Sequence, residues 1–171
     1  PELGLLHNPA KLLLDPYAKA VTRAPVLDGA LFSPGFSLDR SRILDPDPLD
    51  SAPFMSLGVV TEPEESVTHH PRIPWRNTVI YECHVKGMTA LRKDIPEELR
   101  GTYAGLAHPV VVDYLKRLGI TAVELLPIQA KMDETFLADI GLTNYWGYST
   151  LDFFAPEPSY ATQAAQEAGP Q

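Results

Sequence analysis

The chain has 171 residues, with 22 acidic against 14 basic side chains and a formal net charge of −8. That length suits one domain with a sizeable core, and 44% apolar residues exclude a chain disordered throughout. The acidic balance argues against a nucleic-acid-binding surface, and no run of 18 apolar residues exists to span a membrane as a helix.

The N-terminus, Pro1-Glu2-Leu3-Gly4, shows neither the basic nor the apolar region of a secretory leader. Cys83 is the single cysteine, so no internal disulfide is available. One thiol suits a reducing, cytoplasmic setting. Proline is enriched, and eleven of the 17 lie in residues 1–75. The chain therefore divides near Trp75 into a loop-rich part and a part of regular structure.

Residues 7–20 hold a short apolar run between prolines and predict one strand ending in a turn. No segment of residues 21–74 keeps a clear period. Asp45-Pro46-Asp47-Pro48 and Glu62-Pro63-Glu64-Glu65 are acidic and proline-rich, which disfavours long helices and central strands. A stretch of this length is expected to be functional or to wrap a larger body. Residues 77–85 are β-branched and aromatic and predict a strand, ended by Gly87. Residues 88–107 read as a loop, with Ile95-Pro96, Gly101 and Gly105 as breakers.

His108-Pro109 then opens a helix, with proline at the first helical position. Val110, Val111, Tyr114, Leu115 and Leu118 recur at helical spacing, opposite Asp113, Lys116 and Arg117. Gly119 closes it. Residues 120–126 are mostly apolar, as expected of a parallel strand buried on both faces, and Pro127 ends that strand. Strand, helix and strand make a βαβ unit and predict an α/β class. A complete (β/α)₈ barrel needs about 200 residues or more. Only 96 residues follow Trp75, enough for the opening portion of such a barrel.

Five tracts, in order, carry a resemblance. Asn8-Pro9-Ala10-Lys11-Leu12-Leu13-Leu14-Asp15-Pro16-Tyr17-Ala18 resembles the segment joining an N-terminal β-sandwich to a barrel. Ile80-Tyr81-Glu82-Cys83-His84-Val85-Lys86-Gly87-Met88-Thr89 resembles a first barrel strand, and Ile95-Pro96-Glu97-Glu98-Leu99-Arg100-Gly101-Thr102-Tyr103-Ala104-Gly105-Leu106 the loop after it. Leu118-Gly119-Ile120-Thr121-Ala122-Val123-Glu124-Leu125-Leu126-Pro127 is similar to the second strand. Asn144-Tyr145-Trp146-Gly147-Tyr148 is similar to a tract that precedes the third. The family is that of the bacterial glycogen debranching enzymes of the isoamylase type, in the α-amylase superfamily.

The resemblance implies the opening portion of a (β/α)₈ TIM barrel in residues 77–171. It also implies an irregular proline-rich linker in residues 21–76, and the end of a β-sandwich domain with its junction in residues 1–20. It implies a parent enzyme that hydrolyses α-1,6-glucosidic branch points of glycogen or limit dextrin with retention, without cofactor or metal. Such an enzyme uses an aspartate nucleophile, a glutamate acid/base and a second aspartate on later strands, and an Asp-x-x-x-Asn-His tract marks the third strand. None of these stands in this sequence. The chain is thus expected to be a fragment without catalytic residues, inactive in isolation. A pullulanase or trehalose-pathway relative is the neighbouring enzyme reading. A non-catalytic glucan-binding remnant is the reading from another class.

The candidate substrate-binding residues are Tyr148, Trp146, Tyr145 and Asn144. On the residues alone Tyr148 reads as a core tyrosine beneath its loop. The resemblance implies instead an aromatic platform under the glucose beside the scissile bond. A sugar's C–H face packs on such a ring while the phenol keeps a polar partner. Tyr145 and Trp146 are expected to pack beneath the platform or extend it, and Asn144 to hold the loop by side-chain-to-backbone bonds. Glu82 and Glu124 are not expected to form a catalytic pair, because both read as mid-strand. Glu82 and His84 share a strand face by spacing and are expected to form a satisfied polar pair. His69-His70 lacks partners at ligand spacing, and Cys83 reads as a buried, inert thiol.

Overall fold

The computed structural model describes residues 8–32, 47–62, 68 and 70–169. Strand β1 (Ile80–Cys83) pairs in parallel with β2 (Ala122–Leu125), in register from Ile80 opposite Ala122 to Cys83 opposite Leu125. Three helices lie between them: α1 (Val85–Thr89), α2 (Tyr103–Leu106) and α3 (Pro109–Arg117). The expected strand–helix–strand order with parallel strands is present. A second sheet follows, in which β3 (Gln129–Lys131) runs antiparallel to β4 (Thr150–Pro156), with α4 (Thr135–Ala138) between them and α5 (Gln163–Ala168) after them.

Helix α3 forms as its sequence directs. The His108 Nδ1 accepts the Val110 N–H at 3.3 Å, Pro109 occupies the first turn, and Lys116 and Arg117 sit in the last turn, where the helix dipole favours cations. Val111 and Leu115, one turn apart, are buried with Ile95 into one cluster. Tyr81 from β1, Met88 from α1 and Leu99 from the loop pack against it. So the loop that follows β1 is a structural cover: its Ile95 is only 1% exposed. Its 3₁₀ turn, Glu97–Leu99, packs against α2.

Several expectations are corrected. Strand β1 is shorter than residues 77–85 at both ends. Trp75–Asn77 is a 3₁₀ turn, and at the other end His84 leaves the strand to cap α1. Residues 8–20 form no strand, because their polar side chains close local turns instead. The Asn8 Oδ1 accepts the Ala10 N–H and the Asp15 Oδ1 accepts the Tyr17 N–H, both at 3.0 Å. Within this chain one face of β2 stays uncovered: Glu124 is exposed and Val123 is 44% exposed. An apolar hollow of about 330 Å³, lined by Val112, Ile120, Val123 and Leu125 among others, stays open between α3 and β2.

The loop-rich part folds back on the second sheet. Val21 bridges Gly58, and the Thr22 N–H donates to the Leu57 carbonyl at 2.9 Å. Val21 is buried with Ala130 of β3 and Ala155 of β4, with Leu14 packed against them. Lys11 anchors this part: its Nζ donates to the Ala30 carbonyl (2.6 Å), Asp47 Oδ2 (2.7 Å) and the Leu49 carbonyl (2.9 Å). The Lys11 ammonium holds the Asp47 carboxyl below the usual carboxylate range. Residues 45–46 and 63–65 of the acidic tracts, and His69, lie outside the described residues. His70 is exposed. Among the described residues no helix is long and apolar enough to cross a membrane, and no group of three His, Cys, Asp or Glu is placed to hold a metal ion.

Candidate functional site

The tract of residues 144–148 lies between α4 and β4 and forms one wall of a cleft of about 690 Å³. Tyr145, Trp146 and Tyr148 line it together with Glu82 at β1, Leu126 after β2 and Glu134 before α4. Within this chain Tyr148 is 70% exposed, and nothing in residues 8–32 or 70–169 packs it into a core. Trp146 is 57% exposed and meets Tyr145 edge-on, with ring centroids 6.1 Å apart. Tyr145 is half-exposed because one ring face is covered by His84, at 4.2 Å between centroids and 7° between planes. The three rings expected at the site therefore stand together and open to solvent.

Asn144 is the buried member, at 6% exposure. Its backbone N–H donates to the Asp133 Oδ1 at 2.7 Å, and its Oδ1 accepts the Gly147 N–H at 2.9 Å. Its Nδ2 donates to the Met132 carbonyl and the Glu134 Oε1, both at 3.4 Å. Glu134 also accepts the Ser149 hydroxyl, which closes the loop at its far end. This is the expected loop-holding role. Gly147 makes the turn possible: its φ is +81°, a region that L side chains avoid, and a Cβ there would stand 3.1 Å from the Pro127 carbonyl oxygen. Asn144→Ala should cost about 1–3 kcal/mol, the usual penalty for leaving a buried N–H without its acceptor. Denaturant unfolding of wild type and variant side by side measures it.

Behind the rings lies a second polar layer. The Glu157 carboxylate, 2% exposed, accepts the Lys131 N–H and the Ser159 N–H, both at 3.0 Å. The Tyr103 hydroxyl lies 3.1 Å from both the Ile128 and Glu157 carbonyls. Burial raises the Tyr103 phenol above its ordinary range, and it pushes Tyr160 up to about 12, with the nearby Glu157 charge adding to both. Both phenols therefore stay protonated and able to donate. The sequence carries no local signal for Asp133, Glu134, Tyr103 or Tyr160, whose partners lie 10 or more residues away, while Glu157 before Pro158-Ser159 has a local sign only in its cap on the Ser159 N–H.

Two further expectations resolve here. Glu82 and His84 do not pair. The His84 ring meets the backbone N–H groups of Lys86 and Gly87, the Tyr145 carbonyl and the Tyr160 hydroxyl. The strand ends at Cys83, so the two side chains no longer follow one pleat. Glu82 and Glu124 are register partners on adjacent parallel strands, and both are exposed. Cys83 is half-buried, and burial pushes its thiol up, away from the reactive thiolate.

The chain is 51% identical over 164 residues to a glycogen debranching enzyme of Enterobacter sp. (strain 638), covering 95% of this chain and 24% of that protein. Among solved structures, it is similar to a product complex of the multi-modular glycogen-degrading pneumococcal virulence factor SpuA. That match has TM-score 0.57 and 26% identity, over 88% of this chain and 15% of that one. Pullulanase type I from Bacillus subtilis, complexed with maltose, matches with TM-score 0.51 and 27% identity, over 86% and 18%. No family model matches. The chain spans about a quarter of the length of the curated relatives it matches. At close to half-identity across nearly its whole length, with the pinned aromatic tract inside the matched stretch, this chain is similar to the bacterial glycogen debranching enzymes over the quarter of their length that it matches.

Proposed function

We propose that the enzyme of which this chain forms part hydrolyses α-1,6-glucosidic branch linkages of glycogen or limit dextrin with retention of anomeric configuration. Within it, residues 77–171 supply the opening of a (β/α)₈ barrel. Residues 21–76 form the irregular stretch before it, and residues 1–20 lead out of an N-terminal β-sandwich. The parallel β1–β2 pair, with helices between its strands, supports the barrel reading. The aromatic tract is the rim of the glucan site, with Tyr148 as platform, Trp146 and Tyr145 beside it, and Asn144 as the clamp beneath.

One observation carries this reading. A ring 70% exposed stands on the wall of a cleft, on a loop held by a buried asparagine and a glutamate. An aromatic ring on a rigid loop at the wall of a cleft matches what a sugar's C–H face packs on. The catalytic carboxylates are assigned to parts of the enzyme beyond the matched quarter. No cofactor or metal enters the reading. The half-buried, unpaired thiol of Cys83 suits a cytoplasmic enzyme.

The test uses the full-length enzyme on phosphorylase-limit dextrin. Release of short linear malto-oligosaccharides is expected, with the first product appearing as the α-anomer by NMR. Cleavage of unbranched amylose at an equal rate, or release of the β-anomer first, would contradict the proposal.

A further inference from the structure

His84 is the most connected side chain near the cleft and has no part in the reading above. It is buried, at 7% exposure. Its Nδ1 accepts two backbone N–H groups, from Lys86 at 3.0 Å and Gly87 at 3.2 Å, and so caps α1. A nitrogen that accepts carries no proton, so the hydrogen sits on Nε2. That Nε2–H points at the Tyr145 carbonyl oxygen, 2.7 Å away, while the same imidazole lies flat against the Tyr145 ring. The Tyr160 hydroxyl, 3.1 Å from Nε2 and 3.5 Å from the Tyr145 carbonyl, closes the group.

We infer that His84 is a positioning residue for the glucan platform: it holds Tyr145 by ring and by carbonyl at once, and so fixes where Tyr148 stands. The inference rests on the reading of Tyr148 as platform. The mechanical link is short. The Asn144 Oδ1 bond to the Gly147 N–H ties residues 144–147 into one turn, so the turn moves as a piece. Asn144 anchors that piece to Asp133 and Met132. His84 is its tie to the end of β1. Asn144 and the Ser149–Glu134 bond hold the turn on the side of residues 132–134, and His84 holds it on the side of β1. The capping bonds also select the tautomer that the second anchor requires, so the start of α1 and the rim are coupled through one ring. Gly87 fits the same design. A Cβ there would lie 2.7 Å from the Tyr145 hydroxyl oxygen, so the position must stay bare for Tyr145 to lie where it does.

The experiment is a double-mutant cycle in the full-length enzyme. His84→Asn keeps a good capping acceptor for α1 but removes the ring and the reach to Tyr145. It should lower kcat/KM on a branched dextrin about tenfold or more, since an ångström of misplacement can cost ~100-fold. Combined with Tyr148→Ala, it should add less than about twofold, because the platform it positions is already gone. Should His84→Asn fail to fold, Gly87→Ala decides instead. It leaves the cap and the Nε2 donor in place and displaces the Tyr145 ring, with the same loss and the same non-additivity expected. Full activity in the folded variant, or a loss that multiplies with Tyr148→Ala, overturns the positioning role. If Tyr148→Ala alone keeps full kcat/KM, the platform reading itself falls, and the inference with it.

Discussion

Tyr148→Ala in the full-length enzyme should cut kcat/KM on a branched dextrin by roughly 5- to 150-fold while leaving fold stability unchanged within about 0.5 kcal/mol. The scale is taken by analogy from the ~1–3 kcal/mol lost when an aromatic side chain that stacks on a nucleobase is removed. The stability half follows from exposure. A platform ring that faces the substrate cleft, 70% exposed within this chain, has little buried area to forfeit in the unliganded enzyme, whereas a core tyrosine would cost about 3–5 kcal/mol on truncation. Tyr148→Phe keeps the stacking face and loses only an exposed hydroxyl, so its activity should stay close to wild type. Kinetics and unfolding measured on the same preparations separate the possibilities. Unchanged kcat/KM in the alanine variant would remove Tyr148 from the site, and an equal loss in Phe and Ala would move the interaction from the ring to the hydroxyl.

Gly105→Ala is expected to destabilise the protein by about 1–3 kcal/mol or more, although alanine is the better helix former. Gly105 lies in α2, where a Cβ would fall 2.1 Å from the Leu99 carbonyl oxygen and 3.0 Å from its carbon. Those are backbone atoms, and that oxygen already accepts the Thr102 hydroxyl at 2.7 Å, so it cannot swing away freely. Helix propensity would return only about 1 kcal/mol. The steric term therefore sets the sign. Relief requires α2 to move off the Glu97–Leu99 turn, which would loosen the cover that buries Ile95 against Val111 and Leu115. Gly29→Ala is the matched control, because nothing lies within 4 Å of its Cβ position. A Gly105→Ala variant with a denaturation midpoint at or above wild type would show that the close contact is not maintained in solution.

Some of this protein is readable from the order of its residues alone. Helix α3 follows from a capping His-Pro pair, an apolar stripe at helical spacing and basic residues at its end, all within a dozen positions. The β1–β2 pair follows from two β-rich runs set one helix apart. The four candidate residues Asn144, Tyr145, Trp146 and Tyr148 fall within one five-residue tract, so their neighbourhood needed no folding to be seen.

Other features exist only because distant segments meet. Whether Tyr148 is core or surface depends on what lies above it, and within this chain nothing covers it. β1 ends where His84 caps α1 through Lys86 and Gly87, and the same ring also reaches the Tyr145 carbonyl 61 residues later, a partner that only the fold supplies. The short strands β3 and β4 have no clear alternation to announce them. They are held by the buried Glu157 carboxylate and by Ala130 and Ala155 packing on Val21, from a segment more than a hundred residues earlier. Residues 8–20 look extended, but turn-forming Asn8 and Asp15 decide against it, and no strand among the described residues pairs with them. Local spacing determines elements whose hydrogen bonds close within a few residues. Where the bonding partner or the covering surface lies far along the chain, only the assembled fold supplies it.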